Sequence, residues 1–197
     1  MKIIFASSNK NKIKEIKALL PSHFELLGLE DIGIAEEIPE PGTTIKENSF
    51  LKAQYVLDFL KKKNESIAVF ADDSGLEVLA LNNAPGVYSA RYAGVPKNDE
   101  NNNKKLMEEL KLVTDRKARF VTVITLILNG EIHYFEGEIK GTISYEKRGT
   151  NGFGYDPLFI PQGYRSTFAE LSAETKNTIS HRALAVKKLI EFLITQN

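Results

Sequence analysis

The sequence predicts an α/β protein built on a mixed β-sheet, and three observations support this fold class. Apolar runs at 2–6 and 67–71 have the composition of buried strands. Apolar residues recur at helical spacing in the segments that lie between these two runs. Asn129-Gly130 joins two β-type segments, 119–128 and 131–140, and this dipeptide favours a tight hairpin. Since a hairpin pairs antiparallel strands, we expect a mixed sheet rather than a purely parallel one.

The composition of the 197-residue chain is typical of a globular protein and excludes several classes of function. Lys+Arg and Asp+Glu both number 26, so there is no net positive field to attract a nucleic-acid polymer. The absence of cysteine excludes disulfides, zinc-thiolate sites and thiol nucleophiles. No apolar run reaches membrane-spanning length, and residues 1–5 enter a strand rather than a signal peptide. We therefore expect a cytoplasmic protein with no membrane partner, organised as a single domain over 1–197.

The first strand, 2–6, leads into a polar turn and then a helix. Residues 7–12 read Ser-Ser-Asn-Lys-Asn-Lys, and the helix that follows carries apolar residues on one face at Ile13, Ile16, Leu19 and Leu20. In this arrangement free backbone N–H groups and the positive helix end face an anion, so the segment is predicted to bind phosphate. Lys12 lies in the first turn, within reach of such an anion. Alternatively, Ser8 or Asn9 only caps the helix.

A second strand is predicted at 24–29, followed by an acidic loop that contains Glu40. The pattern Thr44-Ile45-Lys46-Glu47 is a capping box, and it begins a long helix that runs to about Lys63. The buried stripe of this helix is predicted at Phe50, Ala53, Leu57 and Leu60. Glu47, Asn48 and Lys52 lie off this stripe, so we expect them to be solvated.

Two adjacent carboxylates, Asp72 and Asp73, follow the apolar run 67–71 and precede Ser74. A buried charge is costly unless it is paired or bound to a metal, and α/β sheets bind ligands beyond the carboxyl ends of their strands. Alternatively, the two acids only open a polar turn. Together with Glu40 they are candidate Mg²⁺ ligands, because Mg²⁺ is usually held by one or two carboxylates and substrate phosphates.

The middle of the chain contains an extended segment at 76–78, a loop at 84–94 and a helix at 98–110. The loop is rich in glycine and tyrosine, and it forms either a wall of a substrate site or an inert turn. The helix is entered through an asparagine-rich tract at 98–103.

A second glycine-rich segment, 149–157, surrounds Phe153, Tyr155 and Asp156. Its glycines allow the backbone to pass close to a flat ligand, and an aromatic face stacks on a nucleobase. Alternatively, it is an ordinary surface loop.

The last helix carries a core stripe at Ile179, Ala183, Val186, Ile190 and Leu193. His181 faces away from this stripe and Arg182 borders it, so neither is an obvious core residue; capping is an alternative role for His181. Lys176 is a second candidate anion-binding residue.

An anion site, an acidic cluster and an aromatic glycine loop together predict an enzyme that attacks a nucleoside polyphosphate with water. Five motifs, in this order, resemble the inosine triphosphate pyrophosphatase family, which includes the XTP/dITP diphosphatases. They are Ser-Ser-Asn-Lys-Asn-Lys at 7–12, Ala-Asp-Asp-Ser-Gly-Leu at 71–76, Pro-Gly-Val-Tyr-Ser-Ala-Arg-Tyr at 85–92, Gly-Phe-Gly-Tyr-Asp-Pro at 152–157 and Ser-His-Arg at 180–182. The resemblance extends from one end of the chain to the other.

This resemblance implies an elongated mixed sheet flanked by helices, with two lobes around a central cleft. It implies a Mg²⁺-dependent, homodimeric hydrolase that cleanses the nucleotide pool. Its substrates would be ITP, dITP and XTP, each converted to the monophosphate and pyrophosphate.

The resemblance also implies roles for individual residues. Asp73 would be the catalytic proton acceptor and a metal ligand, with Asp72 and Glu40 as further metal ligands. The triphosphate would be bound by Ser7, Ser8, Asn9, Lys10, Asn11 and Lys12. The other substrate-binding residues would be Ser74, Phe153 (stacked on the base), Gly154, Tyr155, Asp156, Lys176 (on phosphate), and His181 with Arg182 (on the base edge).

Two segments depart from the family pattern. Ser7-Ser8 stands where many members have Thr-Gly, and 39–42 reads Pro-Glu-Pro-Gly where an acidic pair, a small residue and glycine are usual. Two rival functions are considered. A Maf-type pyrophosphatase would prefer modified pyrimidine nucleotides, and its motifs fit less well. A nucleotide-binding sensor without turnover is disfavoured by the intact acids Asp72 and Asp73.

Overall fold

The structure is a computed structural model that describes residues 1–61 and 68–196. The predicted strand residue Ile67 and the predicted helix end near Lys63 lie outside the described residues.

Within the described residues, a seven-stranded sheet has the strand order β2-β1-β3-β5-β6-β7, with β4 paired to β3. The strands are β1 Lys2–Phe5, β2 Glu25–Leu27, β3 Ala68–Val78, β4 Ala84–Pro85, β5 Lys117–Leu128, β6 Glu131–Ile143 and β7 Phe159–Pro161. β1 runs parallel to β2 and β3, whereas the β3–β4 and β6–β7 pairs are antiparallel. The predicted mixed sheet is confirmed.

The helices in the described residues are α1 Lys10–Leu19, α2 Ile45–Lys61, α3 Asp99–Glu109, α4 Ala173–Ile179 and α5 His181–Ile194. The first three begin close to their predicted positions. The predicted capping box of α2 is confirmed: the Thr44 N–H donates to Glu47 Oε2 at 3.0 Å and the Glu47 N–H donates to Thr44 Oγ1 at 3.1 Å. None of the helices in the described ranges has the length and apolar character needed to cross a bilayer.

Three predicted elements differ in the structure. The strand predicted to end at Ala71 continues to Val78 as β3, so the two acids lie inside a strand. The predicted last helix is two helices, because Ser180 adopts an extended conformation with φ −68° and ψ 153°. Most of the loop predicted at 84–94 is a 3₁₀-helix, Gly86–Arg91.

The chain forms two compact units. Unit 1 contains Met1–Asp73, Thr122–Glu136 and Ala183–Asn197, and unit 2 contains Ser74–Val121 and Gly137–Arg182. The boundaries fall inside β3, β5 and β6, so each of these strands contributes to both units.

Unit 1 has a separate core on each face of its strands. Alternate residues of a strand point to opposite faces, so Phe5 and Phe70 lie in one cluster and Ile4 and Val69 in the other. The first cluster packs against α1 and α5, and the second packs against α2. Unit 2 has its own core, which includes Leu76, Leu106, Phe120, Tyr155 and Phe168.

Candidate active site

Five charged residues in unit 1 form what we call the carboxylate cluster: Lys12, Glu40, Lys52, Asp72 and Asp73. The two aspartates lie on β3, Lys12 on α1, Lys52 on α2 and Glu40 in the loop before α2. Because neighbouring strand residues point to opposite faces, Asp72 shares a face with Phe70 and meets α1, whereas Asp73 shares a face with Ala71 and meets α2. The adjacent acids therefore have different partners.

Asp72 is paired with Lys12. The Lys12 Nζ lies 3.0 Å from Asp72 Oδ1, and the Asp72 side chain is 0% exposed. A carboxylate buried to this extent requires a compensating charge or hydrogen bonds. This ion pair ties the start of α1 to the middle of β3.

Lys52 joins Glu40 to Asp73, although the sequence pattern predicted it to be solvated. Its Nζ lies 2.6 Å from Glu40 Oε1 and 3.3 Å from Asp73 Oδ1, and its side chain is only 9% exposed. Burial is the largest influence on the pKa of Lys52 and lowers it, but Asp73, Glu40 and Asp72 together outweigh burial and raise the pKa. Lys52 is thus a cation at neutral pH, and it is the main functional candidate that sequence reasoning missed.

The carboxyl group of Asp73 is held in an unusual environment. Burial raises its pKa above the ordinary value, although the charges of Lys52 and Lys12 oppose the rise; Glu40 and Asp72 add to it. Its Oδ1 faces Lys52, but its Oδ2 is buried and has no hydrogen-bond partner within the described part of the chain. A carboxylate with one uncommitted oxygen and a raised pKa is suited to accept a proton or to bind a cation.

Asn48 is also buried, contrary to the prediction that it is solvated. Its Oδ1 accepts the Gly42 N–H at 2.7 Å, which holds the loop that carries Glu40 against α2. A Cβ on Gly42 would lie 2.6 Å from this oxygen, so the approach requires glycine. Next to it, Ser49 Oγ donates to the Ala71 carbonyl at 3.1 Å and links α2 to β3. Glu47 is exposed, as predicted.

The donor set of the carboxylate cluster fits a hard cation. The uncommitted Asp73 Oδ2 and the nearby Glu40 carboxylate are oxygen ligands of the type that Mg²⁺ takes. Within 1–61 and 68–196, no three Asp, Glu, His or Cys side chains form a group that could hold a metal by themselves. A cation here would therefore require ligands from its substrate, as is usual for Mg²⁺ bound with phosphates.

The predicted phosphate-binding segment, 7–12, spans the turn before α1 and its first residues. Asn9 is the N-cap of α1, since its Oδ1 accepts the N–H groups of Asn11 at 3.0 Å and Lys12 at 3.1 Å. The structure thus shows that Asn9 caps the helix, and it does not test whether capping is its only role. Ser8, Asn9, Lys10 and Asn11 are exposed, and their contact with phosphate stays a prediction.

A second group, in unit 2, is called the glycine-loop cluster: Ser74, Phe153, Asp156, Lys176 and Arg182. Asp156 organises it, because its Oδ2 accepts the Phe153 N–H at 2.9 Å and lies 2.6 Å from the Lys176 Nζ. The side chains of Asp156 and Lys176 are 4% and 8% exposed, so this is a buried ion pair.

Phe153 lies beside two cations. The Lys176 Nζ is 4.9 Å and the Arg182 guanidinium carbon 5.6 Å from the centre of its ring. Arg182 also donates to Ser74 Oγ at 3.2 Å. The structure therefore brings together five predicted substrate-binding residues, with guanidinium and ammonium donors next to a partly exposed aromatic ring.

His181 and Arg182 are more deeply buried than the sequence pattern indicated. His181 is 4% exposed and stacks on Phe120, a core residue of unit 2, with ring centres 4.6 Å apart, so it is buried although the sequence did not mark it as a core residue. Arg182 is likewise only 2% exposed. The Tyr155 hydroxyl donates to the Ser89 carbonyl at 2.8 Å inside the core of unit 2, which anchors the glycine-rich loop. Direct contact of Tyr155 and His181 with substrate stays a prediction.

Comparisons with known proteins extend over nearly the whole chain. The dITP/XTP pyrophosphatase of Christiangramia forsetii is 53% identical over 193 residues, which cover 98% of this chain and 99% of that protein. The Ham1 protein of Staphylococcus aureus has a solved structure with 41% identity and a TM-score of 0.87, covering 100% of both chains. A Ham1 protein of Coxiella burnetii is 36% identical with a TM-score of 0.89, covering 99% of both chains. The sequence profile of the Ham1 family matches residues 3–192, and the chain belongs to this family.

Proposed function

We propose that this protein hydrolyses deaminated purine nucleoside triphosphates (ITP, dITP and XTP) to the monophosphate and pyrophosphate, and so cleanses the nucleotide pool. The observation that carries the proposal is the buried Asp73 carboxylate, with its raised pKa and one uncommitted oxygen. The substrate class is supported by the dITP/XTP pyrophosphatase of C. forsetii, which matches the chain over almost its full length.

Asp73 accepts the proton of the attacking water. A general base works best when its pKa lies near the operating pH, and burial moves the pKa of Asp73 in that direction. Lys52 holds Oδ1 at 3.3 Å, which leaves Oδ2 for the water or a cation. The same lysine keeps Glu40 in place through the 2.6 Å contact.

Asp73 and Glu40 are the residues that would hold Mg²⁺. Asp72, the third predicted ligand, points to the opposite face of β3 and is paired with Lys12, so it does not lie with the other two. When bound, Mg²⁺ neutralises charge on the phosphate oxygens during transfer. Lys12 keeps the Asp72 carboxylate fixed on β3, and Asn48 fixes the loop that carries Glu40.

The triphosphate is bound by residues 7–12 at the start of α1, where the positive helix end and Lys10 favour an anion. Ser8, Asn9, Lys10 and Asn11 are exposed, which leaves this part of the segment accessible to a polyphosphate. Lys12 contributes a second positive charge from the same turn.

The base is recognised by the glycine-loop cluster. Phe153 supplies a stacking surface, and Arg182, which can only donate hydrogen bonds, pairs with the 6-oxo group of hypoxanthine or xanthine. His181, next to Arg182 in the chain, assists at the base edge, and Lys176 reaches phosphate. Adenine presents a donor at position 6 and would face unmatched donors, a mismatch that can reject an analogue by about 10⁴-fold.

The deciding experiment measures pyrophosphate release from ITP, dITP, XTP, ATP, GTP and a set of modified pyrimidine triphosphates. Preference for the deaminated purines supports the proposal, whereas preference for pyrimidines would favour a Maf-type enzyme. Binding of ITP without release of pyrophosphate would favour a sensor. Activity should disappear after bound metal is stripped with EDTA and return with added Mg²⁺.

The protein is further proposed to act as a homodimer in the cytoplasm. Light scattering coupled to gel filtration gives the mass in solution, and a mass equal to one chain would contradict the dimer.

A further inference from the structure

Helix α3 contacts the glycine-rich loop through two side chains to which the proposed function gives no role. Asp99 and Asn103 both belong to the asparagine-rich tract 98–103 at the start of this helix, and they are one helical turn apart. Residues four apart lie on the same helix face. Both side chains reach a single residue of the loop, Gly154.

The two contacts hold both sides of Gly154. The Gly154 N–H donates to Asp99 Oδ2 at 2.7 Å, and Asn103 Nδ2 donates to the Gly154 carbonyl at 2.9 Å. Gly154 itself has φ +62°, a left-handed conformation that glycine adopts without strain.

These bonds act together with Asp156 on Phe153. The Phe153 N–H is held by Asp156 Oδ2 at 2.9 Å, and the peptide that follows Phe153 is held by Asp99. Peptide groups are planar, so φ and ψ are the only soft backbone dihedrals of Phe153. Fixing the peptide before Phe153 and the peptide after it therefore fixes the conformation of its backbone. The direction in which the Phe153 ring leaves the backbone is therefore set in part by α3.

A purely stabilising role explains Asn103 poorly. The side chain is 3% exposed, and its Oδ1 has no hydrogen-bond partner within the described residues. Leaving a buried polar atom unsatisfied costs about 1–3 kcal/mol, which offsets most of the gain from the bond that Nδ2 makes.

We propose that Asp99 and Asn103 are positioning residues that fix Phe153 and thereby set the affinity for the nucleobase. The inference rests on the proposed function, since it takes Phe153 to be the stacking surface. The inference adds a reason why Phe153 is placed where it is: two side chains on helix α3 hold the loop that carries it.

A fluorescence experiment tests the positioning without any substrate. The chain contains no tryptophan, so Phe153→Trp places a single reporter in the loop. In this background Asp99→Ala and Asn103→Ala should each raise the acrylamide quenching constant by about twofold, because the loop samples more conformations. Asp99→Asn keeps an acceptor oxygen for the Gly154 N–H and should restore low quenching, although it removes the same charge.

Asn101→Ala is the matched control, since Asn101 is exposed on the same helix and uses only its backbone N–H to bind the cap residue Asn98. Its quenching should equal that of Phe153→Trp alone. Asp99 is also exposed, so its variants are expected to fold even if Asn103→Ala does not.

Kinetics with native Phe153 provide the second readout. Loss of a base contact made equally in the ground and transition states raises KM and leaves kcat unchanged. Asp99→Ala should therefore raise KM for ITP about tenfold with kcat within about threefold, and Asp99→Asn should restore KM.

Equal quenching in Asp99→Ala, Asn103→Ala and Asn101→Ala would overturn the positioning role, even if the wild-type protein hydrolyses ITP. A fall in kcat with unchanged KM would also overturn it. If the wild-type protein fails to hydrolyse ITP, the proposed function fails, and the fluorescence result alone decides whether α3 positions Phe153.

Discussion

Replacing Lys52 with methionine removes the positive charge from the carboxylate cluster and keeps an unbranched apolar side chain of similar length. In the wild type this charge lies 2.6 Å from Glu40 and 3.3 Å from Asp73, with side-chain exposures of 9%, 20% and 10% for the three residues. The variant leaves the buried Asp73 and the partly exposed Glu40 without this cation.

Breaking a buried ion pair by removing one partner costs about 3–5 kcal/mol. We expect about 3 kcal/mol for Lys52→Met, at the lower end of that range, because Glu40 is partly exposed and can be rehydrated. The loss should grow as the pH rises from acidic to neutral. Lys52 lowers the pKa of Asp73, so its removal lets the folded state hold a proton to higher pH, and stability falls as that proton is lost.

Guanidinium unfolding followed by far-UV circular dichroism measures the free energy directly. Lys61→Met is the control on the same helix. The Lys61 side chain is 64% exposed and its Nζ lies 4.0 Å from Asp58 Oδ1, a long contact between exposed groups. This variant should lower the free energy of unfolding by less than about 0.5 kcal/mol. Lys52→Met combined with Asp73→Asn should be more stable than Lys52→Met alone, because one buried charge is removed. A loss below about 1 kcal/mol in Lys52→Met, or additive effects in the double variant, would refute the proposed coupling.

Three further variants test the proposed roles. Asp73→Asn should lower pyrophosphate release by about 10²-fold or more, and near-normal kcat in the folded variant would contradict the catalytic role of Asp73. The stability of this variant relative to wild type should increase from acidic to neutral pH, because the raised pKa of Asp73 makes its ionisation costly in the folded wild-type protein. Lys12→Ala should raise KM and lower kcat by the same factors whichever nucleobase the triphosphate carries, and a changed preference between ITP and ATP would contradict the phosphate role of Lys12. The variant should also have a lower free energy of unfolding, because Asp72 loses the positive charge of Lys12. Arg182→Ala should reduce the ratio of kcat/KM for ITP to that for ATP, and an unchanged ratio would assign Arg182 to phosphate binding or to the fold.

Elements with local signals were predictable from the sequence. The capping box at Thr44 and Glu47 and the cap residue Asn98 are recognisable from a few neighbouring residues, and both are found at the predicted helix starts. The hairpin at Asn129-Gly130 is equally local, and both residues have the positive φ angles, 53° and 84°, that this dipeptide favours.

The burial of Lys52 was not predictable from its helix alone. Its partners are Glu40, 12 residues earlier, and Asp73, 21 residues later, and only the folded chain brings them together. Periodicity ranks positions by apolar character, so it assigns a buried lysine to solvent. The occurrence of Asn48 and Lys52 one turn apart, next to the buried Ser49 and Ala53, was the available sign of a polar buried face.

The separation of Asp72 from Asp73 was within reach of the sequence. Treating the run at 68–78 as one strand would have placed the two acids on opposite faces. A strand predicted from apolar residues alone ends at Ala71, because the charged Asp72 and Asp73 interrupt the apolar run. The division between α4 and α5 had no such sign in the sequence, because it occurs at Ser180, which is extended, without a proline or glycine.

Unit 1 is built from segments that are far apart in the chain, and this affects when it can fold during translation. One of its cores joins Ile3 and Phe5 to Val186, Leu189 and Leu193, which are made much later in translation. The strand that carries Ile3 and Phe5 must therefore remain without its final packing until these later residues have been translated. A chain terminated after Arg182 should bind a dye for exposed apolar surface and lack cooperative unfolding of unit 1, and native-like cooperativity in that fragment would contradict this order of assembly.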